Sequence, residues 1–311
     1  MNKLKKVNVI QNYGSQIALV LLLIVLSIIS PNFRTVHNIL SLLRQSSVNG
    51  LIAFGMTVVI LTGGIDLSVG SVLALTALLG AGMIKNGIAA PLVILIVLLL
   101  GVLLGFFNGL MVVNGNIQPF IATLVSMTAY RGLSMIYCNG RPISGLGSSD
   151  FFMAIGNGKF LGIPVPIWIM LVIFAIFLFF LQKTTLGRGI YATGSNSNSA
   201  ALAGISIPKI KYLVYIASGF ASALAGLILV SRLGSAQPTL GSGYELDAIA
   251  AVAVGGTSMA GGRGKIVGTL TGVIIIAALN NGMNIIGISS YYQQVVKALV
   301  ILLAVLSDSK R

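Results

Sequence analysis

Ten apolar segments follow one another along this chain, and this pattern restricts the fold more than any single motif. Of the 311 residues, 56% are hydrophobic and 8% are charged, whereas a soluble domain carries about 25% charged residues. Because too few charges remain to cover a water-facing surface, the sequence predicts one membrane domain over 1–311. This domain is an all-α polytopic membrane protein with about ten transmembrane helices. The candidate spans are 16–30, 51–62, 67–84, 91–113, 120–137, 164–182, 212–231, 246–258, 266–282 and 287–306.

Two of the candidate spans are short, and each is followed by a glycine-rich stretch. A helix that crosses a bilayer needs about 20 residues, but 51–62 precedes GGID at 63–66 and 246–258 precedes GGTSMAGGRG at 255–264. Broken helices occur in membranes where they face protein or a water-filled path. We therefore expect helix breaks or a translocation path at these positions. The candidate residues are Gly63, Gly64, Asp66, Ser68, Gly255 and Gly256.

Small residues recur at four-residue spacing in three of the spans. Such ladders let the backbones of membrane helices approach closely. The sequence therefore predicts a tightly packed bundle. The ladders are Gly101, Gly105 and Gly109; Ser218, Ser222 and Gly226; and Gly268 with Gly272.

The distribution of Lys and Arg predicts the orientation. With ten spans and a cytoplasmic N-terminus, the inside segments carry eleven basic residues and the outside segments five. Since cytoplasmic loops carry the excess of Lys and Arg, both termini are expected inside. The inside residues are Lys3, Lys5, Lys6, Lys183, Arg188, Lys209, Lys211, Arg263, Lys265, Lys310 and Arg311. The outside residues are Arg34, Arg44, Lys85, Arg141 and Lys159.

An acidic residue inside the membrane zone is costly and points to function, but a structural role is also open. Asp66 either contacts a substrate or relays protons, or it caps, with Ser68, the helix that starts there. Glu245 and Asp247 either cap the segment that they open, pair with Arg232, or meet an extracytoplasmic partner.

Lys297, in the last span, is open to two interpretations. It is either a member of an interior ion pair or a side chain that snorkels toward the interface.

The longest polar interval, 183–211, contains four basic residues and no acidic one. Its centre, Ser195 to Ile205, is expected to form a short helix, since small polar residues precede Ala-Ala-Leu-Ala and Gly204 follows. The interval is either an ordinary cytoplasmic loop or a docking element for a soluble partner.

No catalytic or nucleotide-binding motif is present in the sequence. GGRGK at 261–265 does not fit the phosphate-loop pattern, since the required first glycine is Met259 and Ile266 follows Lys265. No metal-ligand spacing or nucleophile–base pair occurs, and the basic residues lie at segment ends instead of forming a nucleic-acid-binding face. We therefore expect no enzyme activity, cofactor or metal of its own. Transport must draw on an ion gradient or another subunit, and a single intramembrane carboxylate favours a partner ATPase.

Several long blocks in fixed order resemble the monosaccharide permease subunits of bacterial ABC importers, the ribose permeases in particular. The resemblance covers nearly the whole chain from about residue 30. The blocks are GMTVVILTGGIDLSVGS (55–71), QPFIATLVSMTAYRG (118–132), TLGRGIYATGSNSNSAALAGI (185–205), AQPTLGSGYELDAIAAVAVGGTSMAGGRGKIVGTL (236–270) and NNGMNIIGISSYYQQVVKALVILLAV (280–305).

The resemblance implies a multi-pass subunit of the bacterial cytoplasmic (inner) membrane that imports ribose or a related monosaccharide by alternating access. It implies pairing with a second permease copy, an ABC ATPase subunit that uses the ATP, and an extracytoplasmic sugar-binding protein. The binding protein would meet the side of Glu245 and Asp247. The alternative is a stand-alone or ion-coupled sugar carrier, which needs no capped docking helix.

The resemblance also makes 183–211 the cytoplasmic coupling loop that fits the ATPase. In the family this loop commonly reads G-G-N-E, then an alanine pair and a G-I end. Ser195 and Ser197 depart from the pattern, and the second replaces the glutamate, so an acidic docking contact is absent here. The expected coupling residues are Arg188, Gly194, Asn196, Ala200, Gly204 and Ile205.

Overall fold

A computed structural model describes residues 2–146 and 149–309, with side chains described for 14–146 and 149–306. Lys310 and Arg311, two of the basic residues counted above, lie outside the described residues. Over the described part the chain forms thirteen α-helices, a short 3-10 turn at Pro31–Arg34 and four two-residue strands. The helices are α1 (Asn2–Ile29), α2 (Val36–Leu61), α3 (Val69–Lys85), α4 (Ala90–Val113), α5 (Pro119–Cys138), α6 (Asp150–Asn157), α7 (Val165–Lys183), α8 (Thr185–Ser195), α9 (Ser197–Leu202), α10 (Ile207–Leu233), α11 (Tyr244–Val254), α12 (Ile266–Ile285) and α13 (Ser290–Ser309).

The helices begin where the sequence offers a proline or a capping side chain. Pro91, Pro119, Pro166 and Pro208 each stand in the first turn of a helix, where the missing N–H removes no intrahelical bond. At the start of α2, the Thr35 hydroxyl accepts the backbone N–H three residues further on, at 3.3 Å. Local sequence therefore sets most of these starts.

Four helices in the described part are long and apolar enough to cross a membrane, which confirms an all-α polytopic membrane protein. They are α4, α7, α10 and α12, with 24, 19, 27 and 20 residues. Each of the other six candidate spans also falls on a helix. The prediction that 51–62 is a short span is wrong, since it is the end of α2, a helix of 26 residues. The segment 246–258 does contain a short helix, α11, with 11 residues.

The predicted close helix packing is confirmed at the glycine ladders. Gly101 and Gly109 of α4 face α10 so closely that an added Cβ would lie 2.6 Å from the Gly219 carbonyl oxygen and 2.8 Å from the Tyr212 ring, respectively. Gly105, between them, would meet the Tyr215 carbonyl in the same way. Any larger side chain would push α4 and α10 apart.

The second half of α2 is the centre of the bundle. Every residue from Gly50 to Leu61 is buried, and α2 is packed against α7, α10, α11 and α12. A helix that is apolar on all sides suits a protein core or a membrane span, and here neighbouring helices enclose it. Gly55 allows this enclosure, because its missing Cβ would lie 2.9 Å from the Ser218 Cα of α10.

Short strands and a small helix cover the end of the bundle far from 183–211. β1 (Ile143–Ser144) pairs antiparallel with β4 (Ser235–Ala236), and β2 (Lys159–Phe160) pairs with β3 (Ile163–Pro164). The helix α6 is fixed to the end of α10, since the Ser231 hydroxyl donates to the Phe152 carbonyl at 2.6 Å and accepts the Gly156 N–H at 2.7 Å.

Candidate functional site

The polar loop between α7 and α10 folds into two short helices, α8 and α9, where the sequence predicts one. Thr184 caps α8 and Asn196 caps α9, each by accepting the backbone N–H three residues further on, at 3.0 and 2.9 Å. Gly204, with φ +82°, ends the segment after α9 as expected. Helix α8 was not predicted, because Gly187 and Gly189 lower its helix propensity and the Thr184 cap is its only local sign.

The side chains of this loop differ sharply in exposure. Ala200 is 4% exposed and packs inside the loop, whereas Leu202, two residues later, is 91% exposed. An apolar side chain so completely exposed at the tip of a helix is available to a partner. Of the other predicted coupling residues, three are exposed and two are partly buried. The exposed ones are Arg188, Asn196 and Gly204, and the partly buried ones are Gly194 and Ile205.

The C-terminal end of α8 fits against the two helix breaks. The Gly262 N–H donates to the Leu61 carbonyl oxygen at 2.9 Å, which joins the end of α2 to the break between α11 and α12. Gly194 is in close contact with both atoms of this hydrogen bond. An added Cβ at Gly194 would collide with the Leu61 oxygen and lie 2.5 Å from the Gly262 nitrogen. Gly261 is also in close contact with Gly63, since an added Cβ at Gly261 would lie 2.8 Å from the Gly63 nitrogen. We call residues 61–64, 191–195 and 257–264 the three-segment junction.

A tyrosine ties α8 to the same place. The Tyr191 hydroxyl donates to the Gly264 carbonyl oxygen at 3.0 Å. Burial raises the pKa of the Tyr191 hydroxyl above its ordinary value. Sequence reasoning selected the coupling loop and the two breaks separately and did not predict that they touch.

Asp66 lies in the break between α2 and α3 and is 1% exposed. Its Oδ1 accepts from the Ser68 N–H at 3.0 Å and the Ser68 hydroxyl at 2.6 Å, and its Oδ2 accepts from the Ser218 hydroxyl at 2.7 Å. The Asn108 amide donates to the Ser68 hydroxyl at 2.7 Å. The carboxylate thus accepts the Ser68 N–H just before α3 and joins the break to α10 through Ser218. Ser68, at the N-cap of α3, makes no side-chain capping bond, and it joins the break to α4 through Asn108.

The second break is as tightly packed as the first. Gly255 ends α11, and its missing Cβ would lie 2.8 Å from the Thr269 nitrogen at the start of α12. Gly256 follows with φ +84° and turns the chain away from the helix. The break thus holds α11 and α12 together at backbone distance.

Asp247 pairs with Lys297 and not with Arg232, which was one of the three alternatives left open for Glu245 and Asp247. The Lys297 Nζ lies 2.9 Å from Asp247 Oδ1 and 3.1 Å from Oδ2, and this is the one ion pair among the described residues. Of the two interpretations of Lys297, the structure therefore supports the interior ion pair. Glu245 accepts the Gly243 N–H at 3.2 Å, which caps the start of α11.

The chain is similar to known permeases over nearly its full length. The profile of the family described as "Branched-chain amino acid transport system / permease component" matches residues 38–305. The ribose import permease protein of Haemophilus influenzae is 57% identical over 297 residues, 95% of this chain and 92% of that protein. Those of Bacillus subtilis and Escherichia coli K12 are 54% and 51% identical, over 97% and 96% of this chain and 94% and 93% of those proteins.

No solved structure matches the chain. The family profile covers well over half of the sequence, and the relatives agree with it in being permease subunits. The chain belongs to the permease-component family of ABC transporters and is a multi-pass protein of the cytoplasmic membrane.

Proposed function

We propose that this chain is the membrane-spanning subunit of an ATP-driven importer of ribose or a related monosaccharide. Three relatives that are 51–57% identical over at least 95% of the chain are each named ribose import permeases. The sugar reaches the chain from a binding protein and crosses by alternating access. A separate ABC ATPase subunit binds and uses the ATP.

The proposed orientation has ten crossings with both termini in the cytoplasm. Besides the excess of inside charges, the contact at the three-segment junction supports it. The loop 183–211 and the break that carries Arg263 and Lys265 are assigned to the same side by charge, and they touch through Gly194 and Gly262. The extracytoplasmic binding protein then meets the opposite end, where Glu245 is partly exposed and Asp247 is occupied by Lys297.

The observation that carries the coupling proposal is the position of α8 and α9. The exposed Leu202 enters a cleft of the ATPase, while Ala200 packs within the loop and shapes it. The loop is capped at both helix starts, so it moves as a unit. Since α8 ends on the three-segment junction, a displacement of α9 reaches α2 and α12 without a further linker. A second permease copy completes the path between the two subunits.

Uptake in proteoliposomes tests the importer. We expect ribose uptake to require the ATPase, the binding protein and internal ATP, and to continue when an ionophore collapses the ion gradients. Uptake by this chain alone that stops with the gradient would instead make it an ion-coupled carrier. Uptake of another pentose but not of ribose would support the importer and show that its substrate is not ribose.

The exposed leucine gives a sharper test of the docking site. Burial of a leucine stabilises a contact by about 1.5–3 kcal/mol, so Leu202→Ser should weaken ATPase binding by at least about tenfold. Leu161→Ser is the matched control, because Leu161 is 78% exposed at the tip of the β2–β3 hairpin, at the other end of α7. Co-purification of the ATPase measures both variants. Equal loss, or no loss from Leu202→Ser, would remove α9 from the interface.

A further inference from the structure

An apolar groove lies between α7 and α10, and α2, α4 and α8 form its floor. Its volume is about 380 Å³, and every side chain that lines it is Val, Ile, Leu, Phe or Ala. The groove is open at its rim, where Ile176 is 54% exposed. An apolar space without polar partners does not hold ordered water. In a bilayer the groove is therefore filled by hydrocarbon.

The wall that α7 contributes leads toward a positive charge. Ile173, Ile176, Phe177 and Phe180 line the groove, and their spacing of three to four residues places them on one face of the helix. One turn beyond Phe180, the same face reaches Lys183, which ends the helix and is exposed.

The face of α10 that lines the groove also leads to a lysine, but at the start of the helix instead of its end. Leu213, Ala217 and Phe220 line the groove. One turn before Leu213, the same face reaches Lys209, in the first turn of the helix and exposed. Because α7 enters the loop 183–211 and α10 leaves it, both lysines stand at the same end of the groove.

The loop at this end of the groove carries a net positive charge. Arg188 and Lys211 add to the two lysines, and no acidic residue occurs between Asp150 and Glu245. Basic residues at the cytoplasmic end of a gap between transmembrane helices attract anionic lipid headgroups. A second copy of this chain would bring the same positive loop and be repelled from this end.

We propose that the groove is a binding site for an anionic phospholipid, with one acyl chain between α7 and α10 and the phosphate held by Lys183 and Lys209. The site does not depend on which sugar is carried. Because Ile190 of α8 also lines the groove, the bound lipid packs against the helix that leads to the three-segment junction.

Tryptophan quenching by brominated lipids tests the site. Trp168 is the single tryptophan of the sequence, so Trp168→Phe gives a silent background. In that background, Phe180→Trp reports on the groove. Phe179→Trp, at the same depth, reports on bulk lipid, because Phe179 is 65% exposed and does not line the groove. The purified chain is placed in bilayers that contain brominated phosphatidylglycerol or brominated phosphatidylcholine.

A lysine near the bilayer surface favours an anionic lipid by about fivefold. Phe180→Trp lies in the groove between both lysines, whereas Phe179→Trp lies outside it and one turn from Lys183 alone. We therefore expect the Phe180→Trp variant to prefer phosphatidylglycerol more than about fivefold, and the Phe179→Trp variant to prefer it clearly less. Adding Lys183→Gln and Lys209→Gln should abolish the preference. Equal quenching by both lipids at Phe180→Trp, absence of quenching there, or a preference that survives loss of both lysines would overturn the proposal. Ile176→Trp repeats the test if Phe180→Trp does not fold.

Discussion

The ion pair between Asp247 and Lys297 is the main polar tie between α13 and the rest of the bundle. α13 packs mostly against α11, and much of its other surface is exposed, as at Tyr291 (82%) and Leu303 (66%). We expect Asp247→Asn and Lys297→Met each to destabilise the chain strongly, and the double variant to destabilise it little.

The magnitude follows from the distances and from the burial of the two charges. Both oxygens of Asp247 lie within 3.1 Å of Lys297 Nζ, and the side chains are 11% and 24% exposed, respectively. Removing one partner from a buried pair costs about 3–5 kcal/mol. The lysine is partly exposed and can extend its charge toward water. We therefore expect Asp247→Asn to cost about 2–3 kcal/mol, and Lys297→Met, which leaves the more buried carboxylate alone, about 3–4 kcal/mol.

The assay is reversible unfolding of the purified chain in mixed detergent–dodecyl sulfate micelles, which gives a free energy of unfolding for each variant. The double variant leaves no unpaired charge and should cost about 1 kcal/mol or less, so the cycle gives a large coupling energy. A double variant that costs the sum of the two single variants would refute the ion pair as the tie.

Two further predictions concern the junction and the buried carboxylate. Gly194→Ala should lower ribose uptake at least about tenfold with the ATPase still bound, because the new methyl group overpacks the junction. Gly132→Ala is the control and should change uptake little, because its Cβ would meet nothing within 4 Å. Equal uptake by the two variants would contradict the role of the junction. Ser218→Ala should cost about 1.5–3 kcal/mol in the same unfolding assay, since it removes a donor to Asp66. Ser222→Ala should cost less, because the Ser222 hydroxyl donates to a carbonyl of its own helix. Equal costs would contradict a stabilising bond between Ser218 and Asp66.

The features that the sequence predicted correctly are local ones. The glycine ladder in α4 predicted a close helix contact, because a missing Cβ allows close approach whichever helix is the neighbour. The cap and stop of α9 were predicted for the same reason, since Asn196 and Gly204 act on their own backbone. The polarity of the loop 183–211 also singled it out without knowledge of its contacts.

The start of α2 and the three-segment junction could not be predicted in the same way. Hydropathy began the second span at residue 51 because residues 36–50 contain polar side chains, yet three of those side chains have hydrogen-bond partners in the structure. Asn38 exchanges hydrogen bonds of 3.0 and 2.9 Å with Asn281 of α12, and Ser46 and Ser47 donate to the carbonyl of Leu43. Such partners are distant in sequence or exist only once the helix has formed. A hydropathy pattern therefore treats these polar side chains as if they had no partner.

The junction also bears on the proposed coupling role of the loop 183–211, which has Ser197 where the resemblance predicts a glutamate. The contacts that join the loop to the bundle are made by backbone groups, namely Gly194 against the Leu61 carbonyl and the Gly262 N–H. Backbone contacts at this distance leave no free space, so a shift of α8 must move its neighbours or break the packing. We infer that force passes through these glycines, and that the acidic residue expected in the loop is not needed for transmission. In the proposed importer, the surface contact with the ATPase is then expected at the exposed, apolar Leu202.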